Sequence, residues 1–113
     1  QVSAKGDIAN WMLPQRGVGN VGGAMDLAAG AKDVIVAMEH TDRENHPKIV
    51  QVCDLPLTGK ECVSLIVTDL AVIRRTTEGL VLEEVAPGWT AEEVQELTGA
   101  RLTVSPSLRE FQL

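Results

Sequence analysis

The chain has 113 residues and a net charge of −6, and this acidic balance excludes the basic surface that a nucleic-acid partner requires. Hydrophobic residues make up 44 % of the chain but aromatic residues only 3 %, so an aliphatic core typical of α/β layers is expected. No apolar run is long enough to span a membrane, and we expect a cytoplasmic protein without a membrane partner. Cys53 and Cys62 have no histidine at ligand spacing, so no metal site is predicted.

The first half of the chain predicts strands on either side of a glycine-rich turn and a helix. The expected elements are a polar turn at 1–6, a strand at 7–13, a helix at 23–31, a strand at 33–38, a solvated loop at 40–48 and a weak strand at 49–53. Pro14 ends the first strand, because proline has no N–H to donate to a neighbouring strand. The apolar run at 33–38 is typical of a strand buried on both faces of a parallel sheet.

The second half predicts a β-meander followed by one helix. The expected elements are strands at 63–68, 71–75 and 80–85 that pair in an antiparallel manner, a helix at 91–97, a short strand at 102–104 and an irregular tail from Ser105. Thr90 and Glu93 have the spacing of a capping box, which predicts that the helix begins directly after Thr90.

The turn at 17–23 contains four glycines and leads directly into the predicted helix. Glycine permits positive φ and allows another group to approach the backbone closely. The N–H groups at the start of a helix have no partner within the helix, so an anion or an oxyanion can bind there. The sequence therefore predicts a site for negative charge on a strand–turn–helix frame.

One interpretation of this turn is a dinucleotide-binding, Rossmann-like half-domain. Gly17, Gly19 and Gly22 match the fingerprint literally, and Glu39 follows the next strand at about the distance expected for a ribose-binding acid. Two features count against it. Pro14 and the residues after it separate the strand from the first glycine, whereas the fingerprint turn is tight, and a β-meander follows where a further crossover is expected.

Short segments along the whole chain resemble the B subunit of 3-oxoacid CoA-transferases of family I, the succinyl-CoA:3-ketoacid CoA-transferase type. In chain order the similar segments are Gly6-Asp7-Ile8-Ala9-Asn10-Trp11, Gly22-Gly23-Ala24-Met25-Asp26-Leu27, Met38-Glu39-His40, Leu55-Pro56-Leu57-Thr58-Gly59 and Val104-Ser105-Pro106. They span nearly all of the chain in the order that the family has.

The resemblance implies a three-layer α/β/α sandwich of the sugar-isomerase-like superfold, with an active site at the interface of the A and B subunits. It also implies a ping-pong reaction through an acyl–glutamyl anhydride and a glutamyl–CoA thioester, each step passing through an oxyanion. By this resemblance, the backbone N–H groups of Gly22, Gly23 and Ala24 stabilise the oxyanion. The resemblance also implies that CoA contacts Gly19, Asn20, Gly22 and Gly23. CoA is a substrate here rather than a permanent cofactor.

No segment of the chain matches the family's catalytic glutamate segment. Glu44 lies in a hydrophilic loop and Glu78 in the meander turn, and we reject both as the nucleophile. The resemblance therefore implies that residues 1–113 are the C-terminal portion of a single B-subunit domain, inactive alone. The A subunit and the N-terminal half of the B subunit are its expected partners. Because an incomplete sheet exposes an edge and an apolar face, we also expect the chain to associate with itself.

Two further groups of residues have competing interpretations. Glu39 and His40 end a strand near the expected ligand, and an ion pair or hydrogen bond that holds the glycine turn is favoured over catalysis. Arg74 and Arg75 have the charge to bind a CoA phosphate, but a solvated edge of the meander is the favoured interpretation.

Overall fold

A computed structural model describes residues 1–9, 33–55 and 57–111. Its elements are β1 (Val2–Ser3), β2 (Val34–Met38), β3 (Ile49–Val50), β4 (Val63–Thr68), β5 (Ala71–Thr76), β6 (Gly79–Val85), α1 (Ala91–Glu96) and β7 (Leu102–Glu110). The large sheet has the strand order β2-β4-β5-β6-β7, and β1 pairs with β3 in a second, two-stranded sheet. The α/β class predicted from the sequence is confirmed.

The predicted meander is confirmed, because β4, β5 and β6 pair in an antiparallel manner. The outer pairs of the large sheet are parallel: β2 pairs with β4, and β7 with β6 across the crossover that contains α1. The amino ends of β2, β4 and β6 therefore lie together on one side of the sheet, called here its amino edge. Their carboxyl ends lie together on the opposite side, called its carboxyl edge.

One face of the large sheet forms the core. Ile66, Ile73 and Leu82 are direct neighbours across β4, β5 and β6, and all three are fully buried. Val94 of α1 and Ile49 of β3 join the same hydrophobic cluster, so the helix and the small sheet both cover this face. Burial of several aliphatic side chains, each contributing roughly 1.5–3 kcal/mol, is the main stabilising term for this arrangement.

The capping box is confirmed at α1. The Thr90 hydroxyl accepts a hydrogen bond from the Glu93 N–H at 3.1 Å, and the Glu93 carboxylate accepts one from the Thr90 N–H at 3.0 Å. At the other end, the side chain of Gln95 donates to the Ala100 carbonyl at 2.9 Å and accepts from the Leu102 N–H at 2.8 Å. These contacts fix the connection between α1 and β7.

Several predicted strand limits are wrong. The turn expected at 1–6 contains the buried strand β1, and the weak strand at 49–53 shortens to Ile49–Val50. Within the described part of the strand expected at 7–13, only Ile8 makes β-bridges, to Val2 and Gly59. The short strand at 102–104 continues through the expected irregular tail to Glu110.

The prediction that β2 is buried on both faces is also wrong. β2 lies at an edge of the large sheet, and its residues alternate between half-buried and exposed. Ile35 is 64 % exposed on the face opposite the core. Among the described residues, β2 is therefore a strand at the lateral edge of the sheet, with one face packed on the core and the other largely exposed.

Candidate functional site

The carboxyl edge of the parallel pair β2 and β4 is the candidate site. Met38 and Thr68 are neighbours in register at the ends of these strands. Glu39 and Asp69 follow directly, and both are exposed. Because ligands of open α/β sheets bind outside the carboxyl ends of the strands, this edge is where a ligand is expected.

His40 follows Glu39 but points into the protein, where its side chain is 1 % exposed. Its Nδ1 lies 2.8 Å from the Thr68 hydroxyl, its Nε2 lies 2.8 Å from the Thr98 hydroxyl, and its backbone N–H donates to Asp69 Oδ1 at 2.9 Å. Burial lowers the pKa of His40, and the Asp69 carboxylate offsets part of this effect. His40 thus ties the end of β2 to the end of β4 and to the residue after the C-cap of α1. The glycine turn that Glu39 and His40 were expected to hold lies outside the described residues, so that prediction is not tested.

The partners of His40 could not be predicted from the sequence, because they are remote along the chain. Thr68 and Thr98 lie 28 and 58 residues away along the chain. Thr68 ends the apolar strand β4, and Thr98 follows the mostly polar helix α1. Neither position reveals from the local sequence which polar group the threonine meets.

The predicted glycine-turn site lies outside the described residues. This applies to its proposed oxyanion donors, its proposed CoA contacts and the fingerprint glycines, namely Gly17, Gly19, Asn20, Gly22, Gly23 and Ala24. Their assignment therefore stays a prediction.

The two glutamates rejected as nucleophile are both exposed. Glu78 lies in the β5–β6 turn, at the amino edge of the sheet and thus opposite the candidate site. Glu44 lies in a loop, with its carboxylate 3.6 Å from the ring of His46 and its N–H donating to Asp42.

The neighbouring arginines differ in their surroundings. Arg74 is exposed and pairs with Glu83 at 3.1 Å, as a solvated meander edge predicts. Arg75 is half-buried, and its guanidinium donates to the carbonyl of Val63 at 2.6 Å and to that of Glu61 at 3.1 Å. Arg75 therefore fastens the start of β4.

The cysteines are poorly suited to nucleophilic chemistry. Cys62 is buried and Cys53 half-buried, and neither forms a disulfide. Burial raises the pKa of both thiols, which keeps them protonated at neutral pH. Among the residues that the structure describes, no group of histidine, cysteine and carboxylate side chains is arranged to hold a metal, and no helix is long and apolar enough to cross a membrane.

Comparison with protein families gives one decisive match. The sequence model of the family described as Coenzyme A transferase matches residues 1–97. The chain belongs to the Coenzyme A transferase family. Its members are enzymes that act on CoA thioesters, so the resemblance in the sequence is confirmed.

Curated relatives in this family are similar along most of the chain. The B subunit of the succinyl-CoA:3-ketoacid coenzyme A transferase of Helicobacter pylori is 44 % identical over 92 % of this chain, which covers 50 % of that protein. The mitochondrial human succinyl-CoA:3-ketoacid coenzyme A transferase 2 is 46 % identical over 99 % of this chain, which covers 22 % of that protein. The chain thus spans half or less of the length of these relatives.

Solved Coenzyme A transferases share the fold. The apoenzyme of an acyl-CoA transferase from Escherichia coli O157:H7 aligns with 99 % of this chain and 26 % of its own, at a TM-score of 0.79 and 19 % identity. The same enzyme was also solved as a thioester complex with CoA, which aligns at a TM-score of 0.72 and 20 % identity over the same shares of the two chains.

The dinucleotide-binding alternative is not supported. In this fold, the chain runs from β2 through β3 to β4, which opens the antiparallel meander of β4, β5 and β6. A helical crossover follows only after the meander, between β6 and β7. Glu39, the acid that the alternative assigned to a ribose, is an exposed residue at the end of an edge strand. The family match decides between the two interpretations.

Proposed function

We propose that this chain is the C-terminal portion of a single B-subunit domain in a 3-oxoacid CoA-transferase. The whole enzyme would move CoA from an acyl-CoA such as succinyl-CoA to a 3-oxo acid such as acetoacetate. The observation that carries the proposal is the 44 % identity to a B subunit of that type over 92 % of this chain.

In the proposed reaction, a glutamate carboxylate outside this chain attacks the thioester carbonyl and releases CoA thiolate, which leaves an acyl–glutamyl anhydride. The thiolate then attacks the glutamyl carbonyl, releases the acid and forms a glutamyl–CoA thioester. Both attacks generate an oxyanion, and the N–H groups of Gly22, Gly23 and Ala24 are proposed to stabilise it. CoA, which is substrate and not a resident cofactor, is proposed to contact Gly19, Asn20, Gly22 and Gly23. Without the glutamate, the chain alone is expected to be inactive.

The Helicobacter pylori relative is named as the B subunit of its enzyme, and we propose an A subunit and the remaining half of the B subunit as partners of this chain. We also propose that the enzyme is cytoplasmic. That assignment stays a prediction, since similar proteins include both bacterial and mitochondrial transferases.

Self-association of the chain is proposed from its half-covered sheet. Ile35 is 64 % exposed, and the side chains beside it on the same face, Leu65 and Val67, are only half-buried. An apolar patch of this kind favours a protein partner. When the remaining half of the domain is missing, another copy of this chain is the available partner.

Ile35→Lys is expected to weaken that association. A charge in the patch opposes burial, whereas the free energy of unfolding of the monomer should change by no more than about 0.5 kcal/mol, because the side chain is already exposed. Sedimentation velocity over a concentration series measures the effect, with Val104→Lys as control, since Val104 is 49 % exposed on the strand at the other edge of the sheet. A wild-type chain that stays monomeric throughout would contradict the proposal.

An exchange of matched halves tests the proposed activity. The matched half of the Helicobacter pylori B subunit is replaced by this chain, and the hybrid is co-expressed with the A subunit of that enzyme. We expect acetoacetate-dependent consumption of succinyl-CoA by the hybrid and none by the chain alone. A folded, assembled hybrid without transfer activity would contradict the proposal.

A further inference from the structure

The buried contact between His40, Thr68 and Thr98 has a single consistent hydrogen-bond arrangement. The Thr98 hydroxyl lies 2.6 Å from the Val94 carbonyl, so its only proton is used there. It must therefore accept the bond that joins it to His40 Nε2, and the proton of the imidazole lies on Nε2.

The second threonine requires the same tautomer. The Thr68 hydroxyl accepts from the N–H groups of Leu70 at 3.1 Å and Ala71 at 3.0 Å, which occupies both of its lone pairs. Its proton must then go to His40 Nδ1 at 2.8 Å, since the other acceptor, the Ala71 carbonyl, is 3.4 Å away. His40 is neutral, and each ring nitrogen is satisfied.

A proton added to Nδ1 has no acceptor in this arrangement. It would face a hydroxyl oxygen whose lone pairs are both engaged, in a site where the ring is 1 % exposed. A buried donor without a partner is strongly unfavourable, so the charged ring must leave the site. Its departure removes the bond to Thr98 at the end of α1.

We propose that His40, Thr68 and Thr98 form an acid-sensitive latch, which holds the end of α1 against the carboxyl end of β2 and opens when His40 takes up a proton. Helix α1 is the element that responds, because it has only six residues, of which Val94 alone is buried. Short elements with little buried surface open at the lowest free energy.

The surrounding charges do not supply a buried partner for a charged ring. The charged residues beside the three side chains in sequence are Glu39 before His40, Asp69 after Thr68 and Glu96 two residues before Thr98. Lys48 lies before β3 and donates its N–H to the His40 carbonyl, and α1 also carries Glu92 and Glu93 in its first turn. Among the described residues only Asp69 raises the pKa of His40, and its carboxylate is exposed and bonded to the His40 backbone. Burial outweighs this effect and lowers the pKa of His40. The latch therefore holds above the ordinary histidine pKa of about 6.5 and weakens as the pH falls below it.

Two nuclear magnetic resonance measurements on the protein test the latch. Ring ¹⁵N shifts between pH 8 and 4.5 should show His40 neutral with its proton on Nε2, titrating at a lower pH than in the same protein unfolded in urea. Hydrogen-exchange protection of the α1 amides, corrected for intrinsic rates, should fall by up to about tenfold per pH unit below 6.5, while the β5 amides stay protected.

Three variants complete the test. Thr98→Val removes the acceptor and should leave α1 poorly protected already at pH 7.5, whereas Thr98→Ser should behave as wild type. His46→Asn removes the other histidine of the chain. It should change neither the titration of His40 nor the pH dependence of α1 protection. A proton on Nδ1, equal titration midpoints in the folded and unfolded protein, or simultaneous loss of protection in α1 and β5 would each overturn the proposal.

Discussion

Gly6→Ala is expected to destabilise the protein by about 3 kcal/mol, although it adds a single methyl group. Gly6 has φ +84°, a left-handed conformation that is strained for alanine. A Cβ at this position would lie 2.8 Å from the Val63 carbonyl oxygen and even closer to the Arg75 side chain. The methyl group therefore displaces the guanidinium that holds the carbonyls of Val63 and Glu61.

Gly88→Ala separates the backbone effect from the contact effect. Gly88 has nearly the same φ, +85°, but a Cβ there would meet no atom within 4 Å. Its substitution should destabilise by only about 1 kcal/mol. Urea unfolding measures the loss of free energy of unfolding in both variants. In an Arg75→Met background, Gly6→Ala should destabilise the protein by less than it does in the wild type. An equal loss in the free energy of unfolding for Gly6→Ala and Gly88→Ala would contradict the role assigned to the Arg75 contact.

Gly23→Val in the hybrid enzyme is expected to lower kcat/KM by about 10²–10³-fold. A branched side chain at 23 would obstruct the approach of the thioester to the proposed N–H donors. The part of the loss that comes from the oxyanion donors should fall on kcat, because the oxyanion forms only during the reaction, whereas a lost contact with CoA should raise KM. Steady-state kinetics with succinyl-CoA and acetoacetate measure it.

Thr103→Val is the control for that variant. Thr103 is exposed on β7, so the added apolar group should leave both kinetic parameters unchanged. A Gly23→Val hybrid that assembles normally and keeps its activity within about threefold would remove the glycine turn from the mechanism.

The elements that the sequence predicts well are those specified by local chemistry. The capping box of Thr90 and Glu93 is contained within four residues, and the meander strands are separated by recognisable turns. By contrast, β1 exists only because Val2 pairs with Ile49, a partner far along the chain. The burial of His40 depends on partners that are equally remote.

The extent of β7 shows a second reason for error. Pro106 suggested that the strand had ended, because proline cannot donate a hydrogen bond to a neighbouring strand. β7 lies at an edge, and its pairing with β6 skips the residues between Val104 and Arg109. No partner requires an N–H from Pro106, and the strand continues through it.

The exposure of Ile35 shows a third reason why a prediction from the sequence was wrong. An apolar run predicts that a strand will be covered, but it does not say by what. Among the described residues, only β4 lies beside β2, and the face opposite the core is half-covered. The chain covers half or less of the length of its named relatives.

The most direct test of the account is to locate the covalent intermediate in the hybrid enzyme. The hybrid is incubated with succinyl-CoA, digested under mildly acidic conditions and analysed by peptide mass spectrometry, with hydroxylamine treatment to identify thioesters. We predict a CoA adduct that hydroxylamine releases, on a glutamate of the Helicobacter pylori half. An adduct on Glu39, Glu44 or Glu78 of this chain, or turnover without any adduct, would contradict the claim that this chain supports a glutamyl–CoA intermediate formed elsewhere in the same domain.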